Sequence, residues 1–477
     1  MGKRKNVVLV ICDALRAGNL PFHGYPINTA PFLADLARRC LLFEHAFSNI
    51  NTTDPSLVSI YTGKYPRHIG LLHHGTYVRK SEVLALRRHP FLQELLAREG
   101  YVTVAVDMLR RWHRRGFRAY LDPLEHYGHR FLGGIVRRSS LLNYVLRELF
   151  FPFIGKTPGS PSLSKPDKPS AEVVNALVLR ALRKLAKEDR PFFLLAHYWD
   201  THMPYLPPKH LLNGFYERHK AFYSRVRVSA EHVLQYIRNP SWRRFISSFF
   251  ERVGFEMARA LAAYDASIRY LDAHLRHVFS ALEELGLLDE TIVIITADHG
   301  ESLYEHNIFF DHHGLYECSL HIPLLIYDEG ERGRVEQVFQ LIDLFPTLVE
   351  LLGLKRSPRF REALRWADGL PLSRLEELDG NRPVIAEEAH VERKLAVRMG
   401  AVKYIMSLRG GPQVCRYCGR VHGGEEELYR LDLDPGEEEN VVEAEPELAK
   451  KMRRLLLRWA RGMVRKKLAY RRARHAL

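Results

Sequence analysis

The chain has 477 residues, 46% of them hydrophobic, which is enough for one large catalytic domain and a smaller one with a sizeable core. Its formal net charge of +15 favours anionic partners such as sulfated or phosphorylated substrates, anionic lipid or nucleic acid, although much of that charge lies in the C-terminal segment. The five cysteines do not suggest a disulfide framework, and no apolar stretch approaches the roughly 20 residues of a membrane span, so we expect a cytoplasmic protein.

The first predicted element is a buried strand, NVVLVIC, at residues 6–12. Basic residues precede it, as in a signal peptide, but the apolar run ends at Asp13 and no cleavage site of small residues follows. Asp13 lies at the carboxyl end of this strand, where ligands bind in open α/β sheets. It is a candidate metal ligand, and capping of the next turn is the alternative.

Two helices are predicted next. TAPFLADLARR, at residues 29–39, begins with Thr and Pro and carries apolar residues at helical spacing. Pro55 suits the first turn of a second helix, which would place Thr53 at its amino end. Free N–H groups and partial positive charge at that end favour an alkoxide and bind an anionic oxygen. From this segment alone, Thr53 is either a reactive hydroxyl or an ordinary N-cap.

We expect parts of the middle of the chain to surround the active site as a rim. Residues 110–184 are basic and then rich in proline and serine, and we expect them to form an excursion that sets substrate specificity. Residues 215–252 are aromatic and basic, and they would either extend this rim or form a helical cover. Residues 256–285 have the apolar spacing of an amphipathic helix.

The segment TIVIITADHGESLYEHNIFFDHHGLYECSLHIPLLIY, at residues 291–327, is the centre of the predicted site. Its TIVIIT strand is followed directly by Asp298 and His299, and further histidines and acidic residues lie between Glu301 and His313. A carboxylate and an imidazole at a strand end are ligands for a divalent cation. A histidine-rich surface loop without metal is the alternative, but several such side chains at one strand end favour the metal site.

The C-terminal region has a different pattern. VIAEEAHVERKLAVRMGAVKYIMSL, at residues 384–408, predicts an antiparallel meander. Cys415, Cys418 and His422 follow as half of a zinc knuckle, and because four ligands are normally required, a structural zinc and a reduced, buried cysteine pair both remain open. Residues 448–477 predict a basic helix whose apolar stripe packs on the domain, with attachment to an anionic surface as the alternative.

Several motifs together resemble the sulfatase branch of the alkaline phosphatase superfamily. They are Asp13 after the first strand, TAPF at residues 29–32, T-x-P-S before TGKYP, and TADHGES before HIPLLIY. IDLFPTLVELLGL and ELYRLDLDPGEEEN extend the resemblance over most of the chain. It implies an α/β fold with a large, mostly parallel sheet flanked by helices in residues 1–355. Residues 356–477 would form a smaller α+β subdomain that contains an antiparallel sheet and a basic helical tail.

The resemblance also implies roles for particular residues. One divalent cation, whether calcium, magnesium, manganese or zinc, is expected, and a second is possible with Asp200 and His202 among its ligands. Thr53 stands where the family has its nucleophile, and His202 resembles the histidine that contacts the ester or its leaving group. A one-residue insertion leaves either His312 or His313 as the cationic or ligand residue after the DHG motif. The implied metal ligands are Asp13, Thr53, Asp298 and His299, and the implied substrate-binding residues are Arg16, Lys64 and Asp200.

Three departures from the sulfatase pattern bear on the chemistry. The motif C-x-P-x-R, whose Cys becomes formylglycine, is replaced by Thr53, Pro55 and Leu57. The second Asp of the usual Asp-Asp pair is Ala14, and residues 100–117 lack the lysine of the family's G-K-W-H stretch.

These features predict a metal-dependent hydrolase that cleaves a small sulfate, phosphate or phosphonate ester, with no clear nucleic-acid partner. A threonine sulfate cannot expel sulfate by collapsing to an aldehyde, so the chemistry favours phosphorus esters. One alternative is a phosphoryl-group transferase, because TADHGESL also resembles phosphoethanolamine transferases, which normally carry membrane spans. The other is an inactive family member that binds anions through its basic tail.

Overall fold

The computed structural model describes residues 4–125, 168–378, 382–408, 410 and 413–475. The part of the predicted excursion at residues 126–167 lies outside this range. The strands, in chain order, are β1 (Asn6–Cys12), β2 (Leu41–Phe43), β3 (Ala46–Phe47), β4 (Val102–Val106), β5 (Ala119–Leu121), β6 (Phe192–Tyr198), β7 (Thr291–Thr296), β8 (Leu324–Tyr327), β9 (Gly333–Val335), β10 (Phe339–Gln340), β11 (Val384–Glu388), β12 (Lys394–Met399), β13 (Val402–Ser407) and β14 (Glu426–Arg430).

The central element is an eight-stranded sheet in the order β5-β4-β6-β1-β7-β8-β2-β9. β1 pairs in parallel with β6 on one side and with β7 on the other, while β8 runs antiparallel to β7. Every residue of β1, β6 and β7 is buried, which explains why these strands are continuous apolar runs rather than alternating ones. The two predicted strands at residues 6–12 and 291–296 are confirmed, and they are direct neighbours.

The helices flank the central sheet, apart from the last one, which packs on the C-terminal sheet. They are α1 (Pro31–Leu36), α2 (Thr53–Thr62), α3 (Pro66–Ile69), α4 (Lys80–Leu86), α5 (Leu92–Arg98), α6 (Ala171–Leu185), α7 (Lys209–Tyr223), α8 (Ala230–Tyr236), α9 (Pro240–Val253), α10 (Met257–Glu284), α11 (Glu317–Leu320), α12 (Leu344–Leu351), α13 (Pro358–Arg365), α14 (Leu372–Glu376) and α15 (Pro446–His475). In the described part of the chain, no helix combines the length and apolar character that crossing a bilayer requires.

Most predicted helices are confirmed, with shifted ends. α10 matches the amphipathic helix expected at residues 256–285 and packs against α6 and α7. α1 is shorter than the expected 29–39 segment, because the residues after Leu36 form turns and bends instead of continuing the helix. α2 begins at Thr53, as its proline pattern predicted. Residues 215–252, which had little clear periodicity, fall largely in α7, α8 and α9.

The C-terminal sheet has the order β11-β12-β13-β14 and is antiparallel throughout, which confirms the predicted meander. α15 covers one face of it, with Met452 and Leu456 buried against Leu395 and Tyr404. The predicted apolar stripe of this helix packs at Leu456, but it does not continue to Leu468, which is 48% exposed.

Candidate active site

Four residues from three elements converge where β1 and β7 end. Asp13 follows β1, Asp298 and His299 come two and three residues after the end of β7, and Thr53 is the first residue of α2. The Thr53 hydroxyl donates a hydrogen bond to Asp13 Oδ2 at 3.4 Å, and its Oγ1 also lies 3.4 Å from His299 Nε2. Neighbouring parallel strands bring their carboxyl ends to one edge, so the β1–β7 pairing explains why residues 285 positions apart meet here.

The donor atoms of this cluster suit a divalent cation. His299 Nδ1 donates to the carbonyl of Gly300 at 2.8 Å, which leaves Nε2 with a lone pair directed at the carboxylates. Burial lowers the pKa of His299 to about 4, so the ring is neutral at pH 7 and can act as a ligand. Asp13 Oδ1 and Asp298 Oδ2 are buried without a hydrogen-bond partner among the described residues.

Two buried carboxylates without a cation are electrostatically unfavourable. Burial, together with the charge of Asp13, raises the pKa of Asp298 to about 7. A cation between the two carboxylates would satisfy both orphaned oxygens and remove this repulsion. Oxygen and imidazole donors together suit calcium, magnesium, manganese or zinc, so the residues present fit the expected metal.

His197 is a site residue that the sequence analysis missed. Its Nε2 lies 3.3 Å from Asp13 Oδ2, and its Nδ1 donates to Asp107 Oδ1 at 2.9 Å. It is the penultimate residue of β6, opposite Ile11 of β1, so it reaches the same sheet edge as Asp13. The signal that could have found it was the single histidine in the otherwise apolar FFLLAHY strand, two residues before the start of the WDTH segment.

His202 and His312 lie beside this cluster with their rings held in the same way. His202 Nδ1 donates to the Met203 carbonyl at 2.8 Å, and His312 Nδ1 donates to the Asn51 carbonyl. Nε2 is therefore the nitrogen that each ring can present to a ligand. The His312 ring centre is 4.3 Å from that of His299 and 5.8 Å from that of His202.

His313 faces a different cluster from His312. Its Nε2 lies 3.4 Å from Cys415 Sγ, and its Nδ1 lies 3.2 Å from Asp311 Oδ2. The choice that sequence left open between the two histidines therefore has a geometric answer: His312, not His313, stands next to His299.

The three expected substrate-binding residues already have protein partners. Lys64 follows the far end of α2, about 16 Å along the helix from Thr53, and contacts His89 and the Tyr470 ring. A contact between Lys64 and the substrate stays a prediction, and the partners of Lys64 in the structure lie beyond the end of α2 opposite Thr53. Arg16 forms an ion pair with Glu305 at 2.7 Å. Asp200 Oδ1 accepts a hydrogen bond from the backbone N–H of Ala171 at the start of α6.

Lys168 is a further cation near the site that the sequence analysis did not single out. Its ammonium donates to the carbonyls of Trp199 and Asp200, and also to that of His202. Burial lowers its pKa to about 8, although the charge of Asp200 opposes this shift. It therefore adds positive charge to the loop that carries His202.

A second layer of contacts holds the amino end of α2. The Asp54 carboxylate, fully buried, accepts hydrogen bonds from His113 Nε2 at 2.8 Å and from the Gly75 N–H at 2.7 Å. Arg111 and His74 approach the same carboxylate at 3.0 and 3.1 Å. The stretch in which the family's lysine is missing thus supplies Arg111 and His113, which anchor the residue after Thr53.

The chain has the fold of the alkaline phosphatase superfamily. The Sulfatase family profile matches residues 5–354, and the chain belongs to that family. Human iduronate 2-sulfatase is 25% identical over 410 residues, covering 74% of this chain and 70% of its own. The multifunctional alkaline phosphatase superfamily protein PehA of Trinickia caryophylli is 28% identical over 397 residues, covering 73% and 74%.

Solved structures show the same fold. A protein in complex with its substrate D-glucosamine-2-N,6-O-disulfate matches with a TM-score of 0.67 and 18% identity, covering 98% of this chain and 99% of that one. The phosphonate monoester hydrolase of Agrobacterium radiobacter matches with a TM-score of 0.63 and 21% identity, covering 98% and 96%.

Proposed function

We propose that this chain is a metal-dependent hydrolase that cleaves a phosphorus ester with Thr53 as its nucleophile. The observation that carries the proposal is the position of Thr53 Oγ1, 3.4 Å from both Asp13 Oδ2 and His299 Nε2 at the amino end of α2. Membership of the Sulfatase family supports ester hydrolysis as the reaction class. The likeness to a phosphonate monoester hydrolase is consistent with phosphorus as the reacting centre.

The metal would be held by Asp13, Asp298 and His299, with Thr53 and His197 beside it. When bound, a divalent cation supplies a Lewis acid that lowers the pKa of a nearby hydroxyl and offsets negative charge on an ester oxygen. Asp107 keeps the His197 Nε2 turned towards Asp13, and the Gly300 carbonyl does the same for His299 Nε2. Both rings are therefore preoriented before any ligand arrives.

Thr53 performs the first chemical step. Its hydroxyl proton is directed at Asp13 Oδ2, which leaves a lone pair of Oγ1 for in-line attack on phosphorus. As the Oγ1–P bond forms, the hydroxyl proton passes to Asp13 Oδ2 and the bond to the departing oxygen breaks. The positive end of the α2 dipole favours the negative charge of the transferred group. Water then attacks the phosphothreonine, which releases phosphate and restores the hydroxyl.

His202 is the best candidate to protonate the departing oxygen, and His312 is the second. Burial lowers the pKa of both rings, so each is neutral at pH 7 before substrate binds. A bound anion adds negative charge close to Nε2, which raises the pKa again and favours the protonated ring. The proton-donating form is thus favoured when the substrate is in place.

The residue at position 53 is the reason for preferring phosphorus to sulfur. A formylglycine hydrate releases sulfate by collapsing to an aldehyde, whereas a threonine sulfate requires direct attack of water at sulfur. The sequence has neither a cysteine at position 53 nor the arginine of the formylglycine motif at position 57. Hydrolysis of phosphothreonine needs no such collapse.

A substrate panel tests the proposal. The purified chain is assayed on p-nitrophenyl sulfate, p-nitrophenyl phosphate, p-nitrophenyl phenylphosphonate and bis-p-nitrophenyl phosphate with each of the four metals. We expect turnover of at least one phosphorus ester and weaker turnover of the sulfate. Multiple-turnover sulfatase activity with inert phosphorus esters would contradict the proposal. Absence of all turnover in metal-loaded protein would favour the inactive, anion-binding alternative. Transfer of the phosphoryl group to an added alcohol in preference to water would favour the transferase alternative.

A further inference from the structure

Four ligand-type side chains meet in a second buried cluster, outside the proposed active site. Cys415, Cys418 and His422 belong to the hairpin between β13 and β14, and His313 comes from the loop that follows the DHG motif. Cys415 Sγ lies 3.4 Å from His313 Nε2, and Cys418 Sγ lies 2.9 Å from His422 Nε2. All four residues are at most 5% exposed.

We infer that His313, Cys415, Cys418 and His422 form a structural Cys2His2 zinc site. His313 supplies the fourth ligand that the C-x-x-C-G-x-x-H sequence lacks, from a position 102 residues earlier in the chain. Two thiolates and two imidazoles are a common closed ligand set for zinc, and the two thiols would give up their protons to solvent on binding. The bound site would be electrically neutral, which suits its burial.

Three of the four ligand atoms lie close enough together for one tetrahedral zinc, and Cys418 Sγ would have to move to join them. A sulfur and a nitrogen ligand on one tetrahedral zinc are about 3.6 Å apart, as follows from bond lengths of about 2.3 and 2.1 Å. The Cys415–His313 pair lies close to that separation, and the Cys418–His422 pair needs a small outward rotation. The ligand atoms of His313, Cys415 and His422 all lie within 4.8 Å of one another.

A backbone contact holds the His422 imidazole in the tautomer that zinc requires, and a carboxylate lies beside the His313 ring. His422 Nδ1 donates to the carbonyl of His306 at 3.2 Å, and His313 Nδ1 faces Asp311 Oδ2 at 3.2 Å. The His422 ring therefore turns an unprotonated Nε2 towards Cys418. Asp311 stands on the side of the His313 ring away from Cys415, as a carboxylate does behind many zinc-ligating histidines.

Backbone contacts of the hairpin fit the same site. The N–H groups of Tyr417 and Cys418 point at Cys415 Sγ, at 3.3 and 3.5 Å, as expected for a turn that stabilises a thiolate. Gly419 follows with φ of +74°, a conformation that favours glycine. The Cys418 carbonyl accepts from the Arg238 N–H, which seats the hairpin between α8 and α9.

The consequence is a crosslink between the C-terminal region and the catalytic loop. A zinc ion at this site would tie residues 415–422 to His313, whose neighbour His312 stands beside His299. The inference does not depend on the proposed function, since it concerns a separate set of ligands.

The test is the metal content of the full-length chain, measured by elemental analysis after dialysis against a mild chelator. We expect Asp298→Ala, which removes the proposed catalytic metal, to keep one zinc per chain. Cys318→Ser, which removes a thiol outside the cluster, should keep the zinc content of the wild type. Cys415→Ser and His313→Ala should lose that zinc, and His312→Ala should keep it. Equal zinc content in wild type and Cys415→Ser would overturn the inference, as would a disulfide between Cys415 and Cys418 in the metal-free wild type.

A spectroscopic measurement covers the case in which a ligand variant fails to fold. Cobalt substituted into the wild-type chain should give thiolate-to-cobalt charge-transfer bands in the near ultraviolet and visible bands of tetrahedral cobalt. His422→Cys should retain the cobalt and strengthen the charge-transfer bands by adding a third thiolate. Octahedral cobalt spectra without thiolate bands in both proteins would refute the site.

Discussion

Asp107 Oδ1 lies 2.9 Å from His197 Nδ1, and this contact decides which nitrogen of His197 faces Asp13. Because the carboxylate accepts the Nδ1 proton, Nε2 is turned towards Asp13 Oδ2 at 3.3 Å. Both residues are fully buried at the edge of the sheet, so neither can turn to solvent for a substitute partner.

Asp107→Asn should weaken metal binding and activity by about 10–100-fold, because the neutral amide no longer favours one tautomer or raises the basicity of His197. Metal affinity by titration calorimetry and kcat/KM are the measurements. Tyr120→Phe is the matched control, since it removes the other hydrogen bond to Asp107 but keeps the carboxylate. Wild-type metal affinity in Asp107→Asn would show that the orientation of the His197 ring does not affect the metal site.

Asp54→Asn should destabilise the chain by about 2–4 kcal/mol, because the buried carboxylate accepts charge-assisted hydrogen bonds from His113 and Arg111 and lies 3.1 Å from the His74 ring. Urea unfolding measures the free energy of unfolding. Asp35→Asn removes an exposed ion pair with Arg38 and should change it by less than about 1 kcal/mol. If the two substitutions changed the free energy of unfolding by similar amounts, the contacts of Asp54 would contribute no more to stability than an exposed ion pair does.

Metal removal should abolish turnover, because both orphaned carboxylate oxygens and the neutral His299 ring lie where a cation would bind. Asp298→Ala and His299→Ala should each lose one divalent cation per chain by elemental analysis. Readdition of calcium, magnesium, manganese and zinc separately to chelated wild type identifies the functional metal. Full activity after exhaustive chelation, with no metal detected, would contradict the proposed centre.

Glu82→Gln should destabilise the chain at neutral pH but not in acid. Burial alone would raise the pKa of Glu82, but hydrogen bonds from His73 and from the Arg79 and Leu72 N–H groups lower it to about 2. Its folded-state pKa is thus below the ordinary 4.5, so its stabilisation is present above pH 4.5 and is lost as pH falls towards 2.

The measurement is the difference in free energy of unfolding between wild type and Glu82→Gln at several pH values. It should be about 1.5–3 kcal/mol at pH 7 and should shrink steadily below about pH 4.5. A difference that stays constant between pH 7 and pH 3 would mean that the hydrogen bonds to Glu82 do not stabilise its charged form.

The sequence alone indicated that Asp13, Thr53 and Asp298 would lie close together, for a physical reason. Asp13 and Asp298 follow buried strands, and strands with continuous apolar runs are parallel neighbours whose carboxyl ends meet. Thr53 could be placed because Pro55 marks the first turn of a helix. Each of these patterns involves only neighbouring residues in the sequence. The rule that the carboxyl ends of neighbouring parallel strands meet at one edge of the sheet brings them together.

Contacts that depend on side-chain direction could not be predicted in this way. His197 sits inside a strand, and only the register with β1 turns it towards Asp13. His312 and His313 are adjacent, so a one-residue uncertainty in alignment exchanges them, although their rings face separate clusters. Lys64 is close to Thr53 in sequence, but the intervening helix carries it away.

The central claim is that Thr53 forms a covalent bond to the substrate, and a rapid-quench experiment tests it most directly. The chain is mixed with its best phosphorus ester, quenched in acid within one turnover, digested and mapped by mass spectrometry. We predict a phosphoryl group on Thr53 in the wild type and no label in Thr53→Ala. Thr52→Ala should carry the same label as the wild type, because the Thr52 hydroxyl is buried without a hydrogen-bond partner among the described residues. A label on any other residue, or wild-type turnover by Thr53→Ala, would contradict the account.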